Sequence, residues 1–513
     1  MTSAPEVSTA LGRVRGTTTD GIDRFLGLPY AAPPVGPNRF RAPQPPAAHT
    51  GVFAADRFGP PPPQFAPDGQ APLADHRDGD DWLTLNVWAP AGSPVEQPDG
   101  AGEGLPVIVW IHGGAYIQGS SAEPTYDGTP FARLGCVFVT LNYRLGVEGF
   151  LHFPASPETI DFPSNRGLLD QVAALSWVRE NIAAFGGDPD RVTLMGESAG
   201  AGSVQALLAM PAARGLFRRA ILQSPPAMFI DSALAARATE LFADAAGLEP
   251  TPEAFARIEP ARFEALTARY ISAQREHRSE LGRASAFEPL LCPVVDGLTL
   301  PADPWESLAH GASRDAEVII GHNSDEFRLF MAYRPREVDA GLAQARLAAL
   351  GPAGALEAYA ALFEGREPED LYEAVQSDWV FTVPAMQLAQ AHAEAGGATY
   401  AYLLALAPEG GIGSAHAADV PLIFDQFDSD MGRLIYPRPS AAERRVGEQL
   451  REAWVRFAAT GDPGWPAWDA SHAVRIFDAE PHDGPYPLLA RWQAYAEDRA
   501  HALGLQPAAR PEP

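Results

Sequence analysis

The chain predicts a doubly wound, mostly parallel α/β sheet. Three features carry that expectation. Val107–Ile111 and Cys136–Leu141 are continuous apolar runs with no polar alternation, as strands buried on both faces require. Between residues 106 and 224 such runs alternate with segments of helical spacing, the order of a βαβ sheet. Hydrophobic residues make up 46% of 513 positions, enough for a large core.

The elements follow in order. Residues 29 to 67 hold twelve prolines, including the run Pro60–Pro63, and read as irregular surface structure. Leu83–Trp88 and Pro106–His112 read as strands around a loop, 89 to 105, rich in Gly, Pro and acid. Asp170–Phe185 places Val172, Leu175, Val178 and Ile182 at helical spacing. Val192–Met195 is a short strand, followed by a Gly/Ala-rich turn and a helical run to Met210; Ala220–Gln223 is the next strand. Residues 231 to 281 are mostly helix formers. Strands return at Val318–Gly321 and Ala398–Leu406, and a long helix spans Ala441–Ala459, closed by Thr460-Gly461. With no internal repeat or linker, residues 1–505 are expected to form one domain with helical cap insertions, and 506–513 a flexible tail.

Composition closes several routes. All basic side chains are Arg, because the chain has no Lys. A P-loop, a Schiff-base lysine and a Ser-x-x-Lys site are therefore excluded. A net charge of −27 argues against nucleic acid and anionic membrane surfaces, and no obligatory protein partner is evident. Apolar runs fall far short of the ~20 residues that span a bilayer. The start of the chain has no secretory pattern, so the expected location is the cytoplasm. Two cysteines cannot make a disulfide framework or a Cys-rich metal site, and Cys136 reads as a buried strand thiol.

The chemistry centres on Gly196-Glu197-Ser198-Ala199-Gly200, a G-x-S-x-G string directly after a strand and directly before a helix. That context marks Ser198 as a nucleophile on a strained turn. His112-Gly113-Gly114 follows an earlier strand and can turn the Gly113 and Gly114 N–H groups toward one oxyanion, with the Ala199 N–H as third donor. At that turn His112 is better suited to orient the backbone than to act as base. Without Lys, the base must be a His. Among those late in the chain, His416 sits in a small-residue loop after the strand ending near Leu406, at the sheet edge where sites form. His392 lies in a helical run and reads as a solvated helix residue; His472, His482 and His501 have no preceding strand. The orienting acid should follow Glu317–Gly321, where Asp325 and Glu326 are both open.

Several ordered blocks carry a family resemblance: Phe25-Leu-Gly-Leu-Pro-Tyr-Ala-Ala-Pro-Pro-Val-Gly with Arg39-Phe40, Leu83-Thr-Leu-Asn-Val87, Asn142-Tyr-Arg-Leu-Gly146, and Asn165-Arg-Gly-Leu-Leu-Asp-Gln171 through Phe185-Gly-Gly-Asp-Pro189 to the elbow. Over nearly its whole length the chain resembles the type-B carboxylesterases, the α/β-hydrolase branch that includes cholinesterases and bacterial para-nitrobenzyl esterases. The resemblance implies Glu326 as triad acid, His416 as base, and Gly113, Gly114 and Ala199 as oxyanion donors. It implies hydrolysis of small to medium carboxylic esters without metal or cofactor. Ser224 looks like a hydrogen-bonding support of the triad or a plain strand-end Ser, with Glu197 and Asp419 as further candidate supports. The sequence departs from the family at Trp82, where a disulfide-forming Cys is usual, at Pro225 and Phe327, where Gly is usual, and at Asp419, where Glu is common. Tyr116, Ile117, Phe327 and Phe381 are candidate pocket residues or ordinary core. The alternatives are a catalytically silent adhesion-type homologue, a lyase of the same fold, or an amide or carbamate hydrolase using the same triad.

Overall fold

The computed structural model describes residues 4–66, 73–93 and 104–505. The tail at 506–513 and most of the acidic loop before Leu105 lie outside the described residues. The central sheet has eleven strands among those described. From edge to edge they are His482–Pro485, Ala473–Phe477, Thr399–Leu404, Glu317–Asn323, Arg219–Gln223, Gly187–Glu197, Leu105–Ile111, Val137–Leu141, Thr84–Pro90, Ile22–Pro29 and Thr17–Thr19. The seven from Ala473–Phe477 to Val137–Leu141 run parallel, and the edge strands pair antiparallel.

Both faces are covered, which explains the unbroken apolar runs. Val107, Val109 and Ile111 face one core cluster with the helices Arg166–Asn181 and Ala199–Ala209. Ile108 and Trp110 face the other, built on Val446, Leu450, Trp454 and Phe457 of the helix Ala441–Thr460. That helix starts in a capping box, where Ser440 and Glu443 satisfy each other's backbone N–H groups, and stops at Gly461 in a left-handed conformation. The Asn142–Gly146 and Asn165–Gln171 blocks are tied by a fully enclosed ion pair: Arg144 donates to Asp170 Oδ2 at 2.8 Å and to Oδ1 at 2.7 Å.

Topology places the site. From Leu105–Ile111 the chain steps to Val137–Leu141 on one side. It then returns to Gly187–Glu197 on the other and continues outward in that direction. The carboxyl ends of Leu105–Ile111 and Gly187–Glu197 therefore flank the switch point, where open α/β sheets form their crevice. Residues 231 to 281 fold as expected into helices, chiefly Ser232–Ala246 and Phe263–Glu276, packed through Phe242 and Tyr270 with ring centroids 5.0 Å apart. No helix among the described residues is long and apolar enough to cross a membrane.

Some expectations fail. The strand expected at Val192–Met195 spans Gly187–Glu197, since pairing with its two neighbours extends it past the apolar run. Two strands at Ala473–Phe477 and His482–Pro485 were not legible, so His482 does follow a strand, but it is an exposed edge residue. His392 is not solvated: it is fully buried, with Nδ1 bonded to Thr399 Oγ1 at 2.8 Å and Nε2 near the Ser313 carbonyl. Its helix faces the sheet on that side, where a polar ring finds partners.

Candidate active site

Ser198 ends a strand and begins the helix Ala199–Ala209, with φ 56° and ψ −125°, a conformation L-residues rarely adopt. Its neighbours make the turn possible. A Cβ on Gly200 would lie 2.0 Å from the Ile111 carbonyl oxygen, and one on Gly196 2.5 Å from the Gly200 carbonyl carbon. Only glycines let the helix start this close to the adjacent strand. Gly200→Ala should therefore destabilise the protein by at least about 2 kcal/mol, read as a lower melting temperature. A variant with unchanged stability would show that the turn relaxes.

The second turn, after Ile111, runs through three consecutive positive φ values: 109° at Gly114, 53° at Ala115 and 63° at Tyr116. Ile117 N–H and Gln118 N–H both donate to the Gly114 carbonyl, at 3.0 and 3.1 Å, closing it. His112 is enclosed beneath, its ring stacked on Tyr143 at 4.6 Å and Nδ1 facing the Gly113 carbonyl at 2.8 Å. It orients the turn and burial pushes its pKa down to about 4. The turn abuts the elbow: a Cβ on Gly113 would sit 3.1 Å from Ser198 Cβ. Ala199 N–H belongs to the first helical turn, where N–H groups lack intrahelical acceptors.

Glu326 and His416 follow the strands Glu317–Asn323 and Thr399–Leu404. His416 Nδ1 donates to Glu326 Oε2 at 2.6 Å, and the His416 backbone N–H donates to the Glu326 carbonyl at 3.0 Å. Glu326 Oε1 accepts from Ser224 Oγ at 2.6 Å and from the Asn323 N–H at 2.7 Å, so three donors hold this buried carboxylate, two on Oε1 and one on Oε2. Asp325, the other open acid, points away and accepts from the Ser414 N–H, pinning the loop that carries His416. Of the two carboxylates left open by the sequence, Glu326 is hydrogen-bonded to the His416 ring and Asp325 to the Ser414 N–H.

Glu197 lies beside the ring, with Oε1 3.2 Å from His416 Nε2. The two groups titrate as a pair, and both hold their protons to higher pH than in water. Burial opposes charge on His416, but Glu197 and Glu326 outweigh it and push the imidazole up to about 9. Burial pushes the Glu197 carboxyl up to about 8, with Asp419 and Glu326 adding and His416 opposing. Asp419 acts on the elbow through Gln223. It accepts from Gln223 Nε2 at 2.6 Å and Tyr402 OH at 2.9 Å, while the Gln223 carbonyl accepts the Ser198 N–H at 2.9 Å. Asp419 therefore holds the residue that holds the elbow.

Among the candidate pocket residues, Phe381 stacks on His416 with ring centroids 4.2 Å apart, and Phe330 lies 5.3 Å from the same ring. Phe327 is half-buried against Phe330. Tyr116 and Ile117 are core, the former packed on Phe150. Sequence reasoning missed Gln223, Tyr402 and Phe330. Gln223 adjoins the singled-out Ser224, which was the available signal; the others show theirs only through packing. Trp82, in place of a Cys, is buried in the core, and Cys136 and Cys292 are both free and buried.

A serine on a strand-to-helix elbow, with a His–Glu pair delivered by two later strands of a parallel sheet, defines a hydrolase of the α/β-hydrolase fold. Residues 3–498 match the model of the carboxylesterase family. The chain is 34% identical over 486 residues to the para-nitrobenzyl esterase of Bacillus subtilis (strain 168), covering 92% of this chain and 95% of that one. It is 35% identical over 489 residues to the phenmedipham hydrolase of Pseudarthrobacter oxydans, with 92% and 94% covered. A solved thermophilic PNB esterase superposes with a TM-score of 0.82 at 34% identity, covering 96% of this chain and all of that one. The chain belongs to the carboxylesterase family: it is a serine carboxylesterase.

Proposed function

We propose that the protein cleaves small to medium carboxylic esters through an acyl-enzyme on Ser198. His416 Nε2 takes the Ser198 proton as Oγ attacks the carbonyl carbon. Glu326 holds the ring through Nδ1 and balances the charge of the imidazolium. The tetrahedral oxyanion is met by the N–H groups of Gly113, Gly114 and Ala199, each contributing on the order of 3 kcal/mol to barrier lowering. His416 returns its proton to the departing alcohol. Water, activated by the same imidazole, then releases the acid and frees Ser198. Every proton has a donor and an acceptor within this set, so the scheme calls on no metal or cofactor. Ser224, Glu197 and Asp419 act by support, through the contacts described above. The observation that carries the reading is the 2.6 Å Glu326–His416 bond beside the Ser198 elbow.

The continuous sheet supports treating residues 1–505 as one domain that carries the whole site. Two enclosed free thiols, Cys136 and Cys292, fit a reducing compartment and hence the cytoplasm. The substrate is a small-molecule ester. Carbamate cleavage is the second reading; the likeness to a phenmedipham hydrolase favours it. Parallel assays on p-nitrophenyl acetate and an aryl carbamate, with wild type and Ser198→Ala, test both.

The Glu197–His416 pair gives a pH dependence with a definite sign. A base must be unprotonated, so raising its pKa moves the acidic limb of kcat/KM upward, above the ordinary histidine value near 6.5. Glu197→Gln removes the largest raising influence on His416, and its limb should fall by about one pH unit. An unshifted limb in Glu197→Gln would show that the carboxylate does not act on the base.

A further inference from the structure

We propose that Phe381 is a positioning residue for His416, delivered by a π-helical turn that Pro384 creates. The proposal rests on reading His416 as the base. One hydrogen bond, from Nδ1 to Glu326, fixes one point of the imidazole and leaves it free to swing about that bond. Nε2, which takes the Ser198 proton in the proposed mechanism, also faces the Glu197 carboxyl at 3.2 Å. A flat ring 4.2 Å away at an interplanar angle of 29° removes the swing. Phe330, stacked on Phe381 at 6.0 Å and 9°, backs it.

The delivery is readable from the chain. The helix Pro368–Ser377 passes into a π-helical turn at Asp378–Thr382 and continues as the helix Val383–Glu394. Pro384 has no N–H to give to the carbonyl four residues back, and its ring would crowd that carbonyl, so a regular α-helix cannot run through. The freed carbonyl is that of Val380, and it accepts the Ala227 N–H at 2.8 Å, tying the turn to the loop just after Ser224. Asp378 is held by Arg491 Nη2 at 2.6 Å, Arg491 Nε at 2.9 Å and Tyr359 OH at 2.6 Å. Ser377 Oγ accepts the N–H of Phe327 at 2.8 Å, directly behind Glu326. One turn is thus bolted to the loops bearing both Ser224 and Glu326, and presents Phe381 to His416. π-Bulges concentrate at functional sites for this kind of register change.

The test compares Phe381→Leu, which keeps apolar bulk but loses the flat face, with Phe381→Tyr, which keeps the ring. Active-site titration normalises each to its folded, reactive fraction. Steady-state kinetics on p-nitrophenyl acetate, butyrate and octanoate are read together with the rate of Ser198 labelling by a fluorophosphonate. For Phe381→Leu, kcat and the labelling rate should fall about tenfold together, by the same factor for all three esters, with KM within twofold. Phe381→Tyr should stay within threefold of wild type. A loss confined to KM, or one that varies with acyl length, would make Phe381 a pocket wall and overturn the proposal, as would an unchanged Phe381→Leu. His416→Ala separates the two levels: if it stays active, the reading of His416 as base fails; if it is inactive while Phe381→Leu is normal, only the positioning role fails.

Discussion

Ser198→Ala should lower kcat on p-nitrophenyl acetate by about 10⁴-fold or more while the protein keeps its fold. In the proposed mechanism the Ser198 hydroxyl oxygen is the atom that becomes acylated, and no neighbouring group can replace it at the same point. Loss of a serine nucleophile elsewhere costs on the order of 10⁶ in kcat, with a residue of about 10³ to 10⁴ over water from the oxyanion donors and binding. Here the proposed donors are backbone N–H groups, of Gly113, Gly114 and Ala199, and survive the substitution. The substitution also preserves the backbone bonds of the elbow, since Ser198 N–H donates to Gln223 and its carbonyl accepts from Gly202 at 2.9 Å. The expected phenotype is therefore a folded, ester-binding, nearly inactive protein. A Ser198→Ala protein within tenfold of wild type would remove Ser198 from the chemistry.

Glu326→Gln should be almost as severe, roughly 10³- to 10⁴-fold in kcat, although it changes shape by almost nothing. Three donors point at the carboxylate: Ser224 Oγ and the Asn323 N–H at one oxygen, His416 Nδ1 at the other. An amide presents an NH₂ to one of these sides. If it faces His416, the ring must switch tautomer, carry its proton on Nε2 and lose its basic nitrogen, the change known to cost about 10⁴ in a Ser-His-Asp triad. If it faces Ser224 and Asn323, two donors confront two donors in a dry site, and the loop behind the triad shifts. Either way the imidazolium loses its balancing charge. Asp325→Asn is the internal control: its carboxylate binds the Ser414 N–H, Ser324 Oγ and Arg328 rather than His416, and kcat should remain within tenfold. Equal effects at 325 and 326 would contradict the assignment of the acid.

Much of this site was legible in the chain because its parts are local. The elbow is five consecutive residues between a strand and a helix, and the Gly113-Gly114 turn directly follows an apolar run. The topology was legible for the same reason: strands enclosed on both faces, such as Val107–Ile111, cannot hide their hydrophobic continuity. What was not legible depends on contacts across the fold. Asp325 and Glu326 differ only in which side of the loop they face. His392 sits in a sequence of helical polar–apolar mix, and only packing reveals that Thr399 and Ser313 enclose it. The strands Ala473–Phe477 and His482–Pro485, the latter at the sheet edge, are short and partly exposed, with too few alternating residues to stand out. For Phe381 pocket and core stayed equally open, because stacking on a histidine 35 positions away leaves no mark in local spacing; Pro384 inside a helix was the visible clue.

The most direct measurement is covalent labelling of the intact protein with a fluorophosphonate, followed by mass analysis of the whole chain and of its peptides. Attack by an activated serine expels fluoride and leaves one phosphonyl group on that oxygen. The account predicts a single adduct, on Ser198, that forms in step with loss of esterase activity, is absent from Ser198→Ala and forms far more slowly in His416→Ala. A stoichiometric adduct on another residue, or full inactivation with Ser198 unlabelled, would contradict it.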